Sequence, residues 1–145
     1  TRYGLAYGCH SGIGLIYDDT GDDRYYGGIG VMGFGWDIAL GGFFDFAGND
    51  LYTVTASGEG LGCEMSWGIL FDGNGSDKYA GVATNASNGQ GFAGKVTYHP
   101  QFDGAGNFGF LVDAGEGQDE FSCGAPPHAA TPRSADGGVG YLIRH

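Results

Sequence analysis

The sequence predicts an all-β fold, a parallel β-solenoid (β-helix) of about five coils with ~27 residues per coil and two loop excursions. Three observations predict it. The frame apolar-apolar-Asp-x-x-Gly-x-Asp-x-Tyr occurs at Ile16–Tyr25, again at Phe43–Tyr52 and again at Leu70–Tyr79, each copy 27 residues after the last. In the same register Gly8, Gly35 and Gly62 coincide, as do Gly14, Gly41 and Gly68, and apolar residues alternate between them. Finally, 32 glycines in 145 residues is about three times the usual share, while 14% aromatic residues argues against disorder.

The elements follow in chain order. The regular coils are residues 1–27, 28–54 and 55–81. In each, Tyr7/Phe34/Leu61, Cys9/Trp36/Cys63, Ser11/Ile38/Met65 and Ile13/Leu40/Trp67 alternate with period 2, the pattern of a strand with one buried face. This strand covers about residues 6–13 of the unit. A corner is expected at Gly14, then a short strand at 15–17, the Asp-x-x-Gly-x-Asp turn, and a third segment from Tyr25. Helical periodicity and strong helix formers are scarce.

The fourth coil, 82–124, is expanded. Gly109–Asp113 realigns with Gly68–Asp72 at an offset of 41, and the extra residues form an excursion at 92–106. A second loop, 125–134, holds three of the four prolines, and a partial coil occupies 135–145, with Arg144 in the column of the first Asp. All of this is one domain, 1–145. The chain starts just after one Asp turn and stops before another, as a fragment or an incomplete stack would. No cap is visible, so self-association through open coil ends is expected.

The chemistry lies in the columns. Asp18, Asp45 and Asp72 form one ladder, and Asp23, Asp50 and Asp77 form another. Like charges one strand spacing apart repel, by about 1 kcal/mol in water and several-fold more near a protein surface. Calcium held between turns by these six carboxylates and by turn carbonyls is one solution. The other is that each Asp accepts backbone N–H bonds within its own turn.

Tyr25, Tyr52, Tyr79 and Phe121 share a column, expected as an internal stack rather than a carbohydrate platform. His10, Asp37 and Glu64 share another, expected as a solvated face rather than an acid–base or metal set. Tyr17/Phe44/Phe71/Val112/Ile143 runs beside Ile16/Phe43/Leu70/Leu111/Leu142. Adjacent strand residues point to opposite faces, so one ladder faces outward unless a corner turns both in. Cys9 and Cys63 lie two coils apart, beyond disulfide reach.

Gly48-Asn49-Asp50-x-Tyr52 and Gly75-Ser76-Asp77-x-Tyr79 resemble half-motifs of the secreted RTX repeat, which implies calcium in a parallel β-roll. The whole frame more closely resembles bacterial repeat proteins of unknown function carrying Leu-x-Asp-x-x-Gly-x-Asp-x-Tyr, with Gln90-Gly91 matching their following Gln-Gly. That resemblance implies no activity.

Only 6 Lys and Arg against 17 Asp and Glu exclude electrostatic nucleic-acid binding, and no apolar run of 18 residues forms a membrane span. The function expected is an extracellular, secreted, structural and self-assembling repeat module, calcium-stabilised and filament-forming, and not an enzyme. The alternatives are a glycan-binding adhesin module and a polysaccharide-active β-helix enzyme.

Overall fold

A computed structural model describes residues 3–81, 90–94, 99, 101, 106–121, 131–132 and 138–144. Every element among them is a strand. The first coil contributes β1 (Tyr7–Cys9), β2 (Ile13–Asp18) and β3 (Arg24–Val31). The second contributes β4 (Phe34–Trp36), β5 (Leu40–Asp45) and β6 (Leu51–Gly58). The third gives β7 (Gly62–Cys63), β8 (Trp67–Asp72) and β9 (Lys78–Gly81), and the fourth β10 (Phe108–Asp113) and β11 (Glu120–Phe121). β12 (Thr131–Pro132) and β13 (Val139–Arg144) complete the chain.

Three sheets form the walls, ordered β1-β4-β7, β12-β13-β10-β8-β5-β2 and β11-β9-β6-β3. Coil stacks on coil in parallel, and equivalent columns pair directly: Asp18 with Asp45, Asp45 with Asp72, Asp72 with Asp113, and Asp113 with Arg144. The stack makes about four turns rather than five, because among the described residues only β13 of the last coil joins a parallel wall. β12 pairs antiparallel with β13 and covers its edge. Most of the two expected excursions, 92–106 and 125–134, lies outside the described residues, as does Cys123.

The cross-section is a wedge, and glycine sets its narrow end. A Cβ on Gly8 would lie 2.1 Å from the Leu40 carbonyl oxygen, and one on Gly41 2.2 Å from that of Phe34. Gly68 meets Leu61 at 2.0 Å and Gly109 meets Phe92 at 2.1 Å in the same way. The first two walls therefore touch backbone to backbone. At the wide end Phe43, Leu70, Leu111 and Leu142, all at 0% exposure, pack on Tyr52, Tyr79, Phe121, Val31 and Met32. Each such aliphatic or aromatic side chain stabilises the fold by roughly 1.5–3 kcal/mol on burial.

Two local expectations are corrected here. The alternation of β1, β4 and β7 has the expected period, but its inward face is glycine. The Tyr7 and Cys9 columns point away from β5, and there Phe34, Leu61 and Phe92 build a second apolar cluster against Tyr7, Trp36 and Cys63. The corner lies at residues 10–12 of the unit and Gly14 is inside β2. It is made by left-handed pairs of ordinary residues, His10/Ser11 (φ 49 and 63), Asp37/Ile38 (65 and 58) and Glu64/Met65 (56 and 63).

In the second sheet the ladder question resolves cleanly. The Ile16 column is inside, and the Tyr17 column faces out beside those of Ile13 and Leu15. Across five strands these three outward columns hold no charged residue.

The turns stack as closely as the walls. A Cβ on Gly48 would sit 1.7 Å from the Gly21 carbonyl oxygen, and one on Gly75 1.6 Å from that of Gly48. This explains the glycine inside every Asp-x-x-Gly-x-Asp. Gly48→Ala is accordingly expected to cost about 3 kcal/mol, by forcing two turns apart. Gly106→Ala meets only the far edge of the Phe108 ring and is expected to cost under about 1 kcal/mol. Urea denaturation of the two variants checks the difference.

Candidate metal centre

In the second sheet β2, β5, β8 and β10 each end on an Asp with the same parity as the inward Ile16 column, so the carboxylate turns into the solenoid. The turn then brings a second Asp back over the first, and a Tyr follows two residues later. The tyrosine rings stack up the axis, with centroids 5.3 Å apart for Tyr25–Tyr52, 5.0 Å for Tyr52–Tyr79 and 4.5 Å for Tyr79–Phe121. The column is internal, as expected, with Tyr52 and Tyr79 at 0% exposure.

The phenols stand between carboxylates of successive coils. Tyr25 Oη lies 2.9 Å from Asp18 Oδ2 and 2.8 Å from Asp45 Oδ2, while Tyr52 Oη lies 3.2 Å from Asp45 Oδ2 and 2.7 Å from Asp72 Oδ2. A phenol carries one proton, so two hydroxyls supply two of these four contacts. The others need a proton on a carboxyl group. Burial accordingly raises Asp45 above the usual carboxylate range and drives the Tyr25 and Tyr52 phenols well up. Tyr79, beside Asp72 and Asp113, has no hydrogen-bond partner of good geometry for its hydroxyl among the described residues.

The second ladder bonds along the stack. The Asp23 amide donates to Asp50 Oδ1 at 2.6 Å, the Asp50 amide to Asp77 Oδ1 at 2.7 Å, and the Asp77 amide to Asp119 Oδ1 at 3.0 Å. Among the described residues, bonding within a single turn is seen in the first ladder, where the Ala47 amide supports Asp45. The second Asp of each turn spends one oxygen on the coil before it.

In Asp50 and Asp77 the other oxygen is left over, whereas in Asp119 it accepts from Arg144. Asp50 Oδ2, Asp72 Oδ1, Asp77 Oδ2 and Asp113 Oδ2 are buried with no hydrogen bond of good geometry among the described residues, although Tyr79 stands beside Asp72 and Asp119 beside Asp113. Asp50, Asp72 and Asp77 bring their carboxylate oxygens within 4.8 Å of one another, and so do Asp77, Asp113 and Asp119. These buried clusters can hold a metal ion. Burial first, then neighbouring carboxylates, pushes Asp50 and Asp77 up to about 6 and Asp72 and Asp113 up to about 7.

The two clusters differ in their neutralisation. Arg144, in the first-Asp column, donates from Nη2 to Asp119 Oδ2 at 3.2 Å and lies over the Phe121 ring. It is a built-in cation at the last coil. Among the described residues no basic side chain pairs with Asp50, Asp72 or Asp77.

Of the six aspartates singled out by sequence, the structure brings Asp50, Asp72 and Asp77 into one cluster. Asp18, Asp23 and Asp45 stay in the hydrogen-bonded columns outside either cluster. Asp113 and Asp119 were missed as ligands, although the realignment at Gly109–Asp113 carries them into the same two columns.

The His10–Asp37–Glu64 column is also corrected: Asp37 and Glu64 are buried, at 6% and 4% exposure. Asp37 is clasped by His10 Nδ1 at 2.5 Å and by His99 Nε2 from the expanded coil, and these partners help hold its carboxyl below the usual range. His128 lies outside the described residues.

Comparison with known proteins adds no family: no family model, no curated protein and no solved structure matches the chain.

Two outcomes follow from the column chemistry. Tyr52→Phe removes a hydroxyl shared by two buried carboxyls and is expected to cost about 3 kcal/mol. Tyr79→Phe, which breaks no bond of good geometry, should cost less than about 1 kcal/mol; chemical denaturation of both compares them.

The pH profile has a definite sign. Carboxyls raised to about 6–7 contribute stability that is fully present below about pH 4 and is lost as pH rises through 6–7. The lowered Asp37 works in the opposite sense, as pH falls below the ordinary carboxylate range. In chelator, the melting temperature is therefore expected to be higher at pH 5 than at pH 8, as a melting series across that window would register.

Proposed function

We propose that the chain is a structural, self-associating extracellular repeat module whose coils are clamped by calcium between the aspartate turns. The observation that carries this reading is the trio of orphaned, buried oxygens of Asp50, Asp72 and Asp77. Calcium takes oxygen ligands at 2.3–2.6 Å, so two ligands of one ion lie no more than about 5 Å apart. The 4.8 Å limit on the cluster fits. Hard carboxylate donors suit calcium better than a softer transition metal. Three carboxylates leave positions for turn carbonyls and water.

The remaining features support a scaffold. The net charge of −11 suits a cation-rich extracellular setting. The inward columns are spent on packing and hydrogen bonding, and the tyrosine stack is closed to a sugar. In this reading the chain has no catalytic role.

Thermal melting with calcium and with chelator at pH 7.5 tests it. One site at a calcium concentration 100 times its Kd stabilises by about 2.7 kcal/mol, a rise of roughly 10 °C. Asp72→Asn and Asp77→Asn are expected to abolish the rise while melting no lower than the parent chain in chelator, because each removes an uncompensated buried charge. Equal melting temperatures with and without calcium would overturn the reading.

A further inference from the structure

We infer that the outward face of the second sheet is a docking surface for a second copy of this chain, packed sheet on sheet. The inference rests on the self-association proposed above and moves its contact from the coil ends to a wall. At one end of that wall β12 already pairs with Tyr141 and Leu142 of β13, so the middle of that sheet edge is taken.

The face is apolar and exposed. Ile13 is 71% exposed, Tyr17 69%, Leu15 59%, Trp67 47%, Val139 40% and Phe46 38%. Phe46, just past β5, joins the face by contacting the Tyr17 ring at 4.9 Å and the Phe71 ring at 5.5 Å. With a large side chain offering roughly 150–250 Å², these six expose on the order of 600 Å². Their half-buried neighbours in the same columns bring the total to about 800 Å², the share of one partner in a standard interface. A typical monomer's largest apolar patch is about 300–600 Å².

Charge selects the occupant. The chain carries −11 overall, so two copies repel through most of their surfaces. The three columns on this face hold no charged residue; Asp19, in the Phe46 column, stands exposed at the rim and accepts from the Tyr17 hydroxyl at 3.3 Å, so two such faces meet without burying a charge at their centre. The face is also built for its own kind. Its columns repeat at the strand spacing, so a two-fold axis lying between two such sheets sets ridges of one copy against the rows of the other. Over Gly42 the Leu15 and Phe44 side chains close in, each 2.8 Å from where a Cβ would lie, so the apolar face is continuous there. Sheets packed this way lie about 10 Å apart, with side chains interdigitated.

The test is sedimentation equilibrium of the chain in calcium, read against two variants, with Trp67 emission followed over the same concentrations. The expected result is a mass twice 15.0 kDa and a concentration-dependent blue shift as Trp67 is buried. Leu15→Lys combined with Trp67→Lys, both on the face, is expected to weaken association at least ~100-fold. Tyr26→Lys, exposed on the third sheet, should leave it unchanged. Unaltered calcium-dependent melting of each variant shows that it is folded.

Association that survives the Leu15/Trp67 variant overturns this inference and leaves self-association standing through another surface. A wild-type chain that stays monomeric overturns both, while the calcium reading keeps its own melting test. Monomers that co-sediment with phosphatidylcholine vesicles, or whose Trp67 emission shifts with a soluble hexasaccharide instead of with protein concentration, also overturn it and assign the face to lipid or glycan.

Discussion

Carboxylates stacked one strand spacing apart are the constraint on which the rest of this molecule turns. At about 4.8 Å two full charges repel by roughly 1 kcal/mol in water and about 3–4 kcal/mol at the effective dielectric of a protein edge. Here the groups are buried and the columns run through four coils. The chain meets the problem with every means that the fold leaves open. Phenols are shared between coils, amides of one coil bind carboxylates of the next, and Arg144 closes the last rung. Where these run out, at Asp50, Asp72 and Asp77, oxygens remain without a hydrogen bond of good geometry among the described residues.

The stack cannot relieve the strain by sliding. Glycine walls in backbone contact admit no Cβ, and the turn glycines sit too close to their neighbours for one. The aromatic column adds a second lock, since a ring at Tyr52 must meet both Tyr25 and Tyr79. A slip of one residue would place each Asp on the outer face and each Tyr17-type ring inside. Register is thus held by packing, and packing holds the charges together. An uncompensated site in a rigid scaffold differs from an acidic surface patch in this respect: the oxygens cannot relax into water.

Much of this was legible in the chain, for a physical reason. A solenoid writes each contact column as a fixed spacing, so Asp18, Asp45 and Asp72 announce their adjacency directly, and so do the tyrosines. What misled was the sign of local features. The alternation around Gly8 reads as one buried apolar face, and Phe34 and Leu61 are buried, but in a second cluster on the far side of the wall, because two walls at backbone distance leave room between them only for glycine. Gly14 reads as a corner, yet His10 and Ser11 take the left-handed turn instead. The approach of His99 to Asp37 spans 62 residues and an irregular insertion, and no spacing encodes it. Asp113 and Asp119 were hidden by the same insertion, although their columns were not.

The inner and outer faces of the second sheet share one logic. Because side chains alternate, every residue that packs the core on this wall is flanked by one that faces out. Here the outward residues are also large and apolar, which a solvated sheet would not require. A monomeric module with a full interior gains nothing from that second apolar surface, and its large net charge shows that the sequence has acidic residues to place. Among the described residues most of them lie in the inner columns and the turns, where they set the coil-to-coil chemistry, and none is in the three outward columns of the flat wall. In the proposed assembly, neutralising the inner carboxylates would lower the field that keeps copies apart, while the wall would supply the area that brings them together. On that view cation binding and association are coupled through charge alone, with no movement of the scaffold between them.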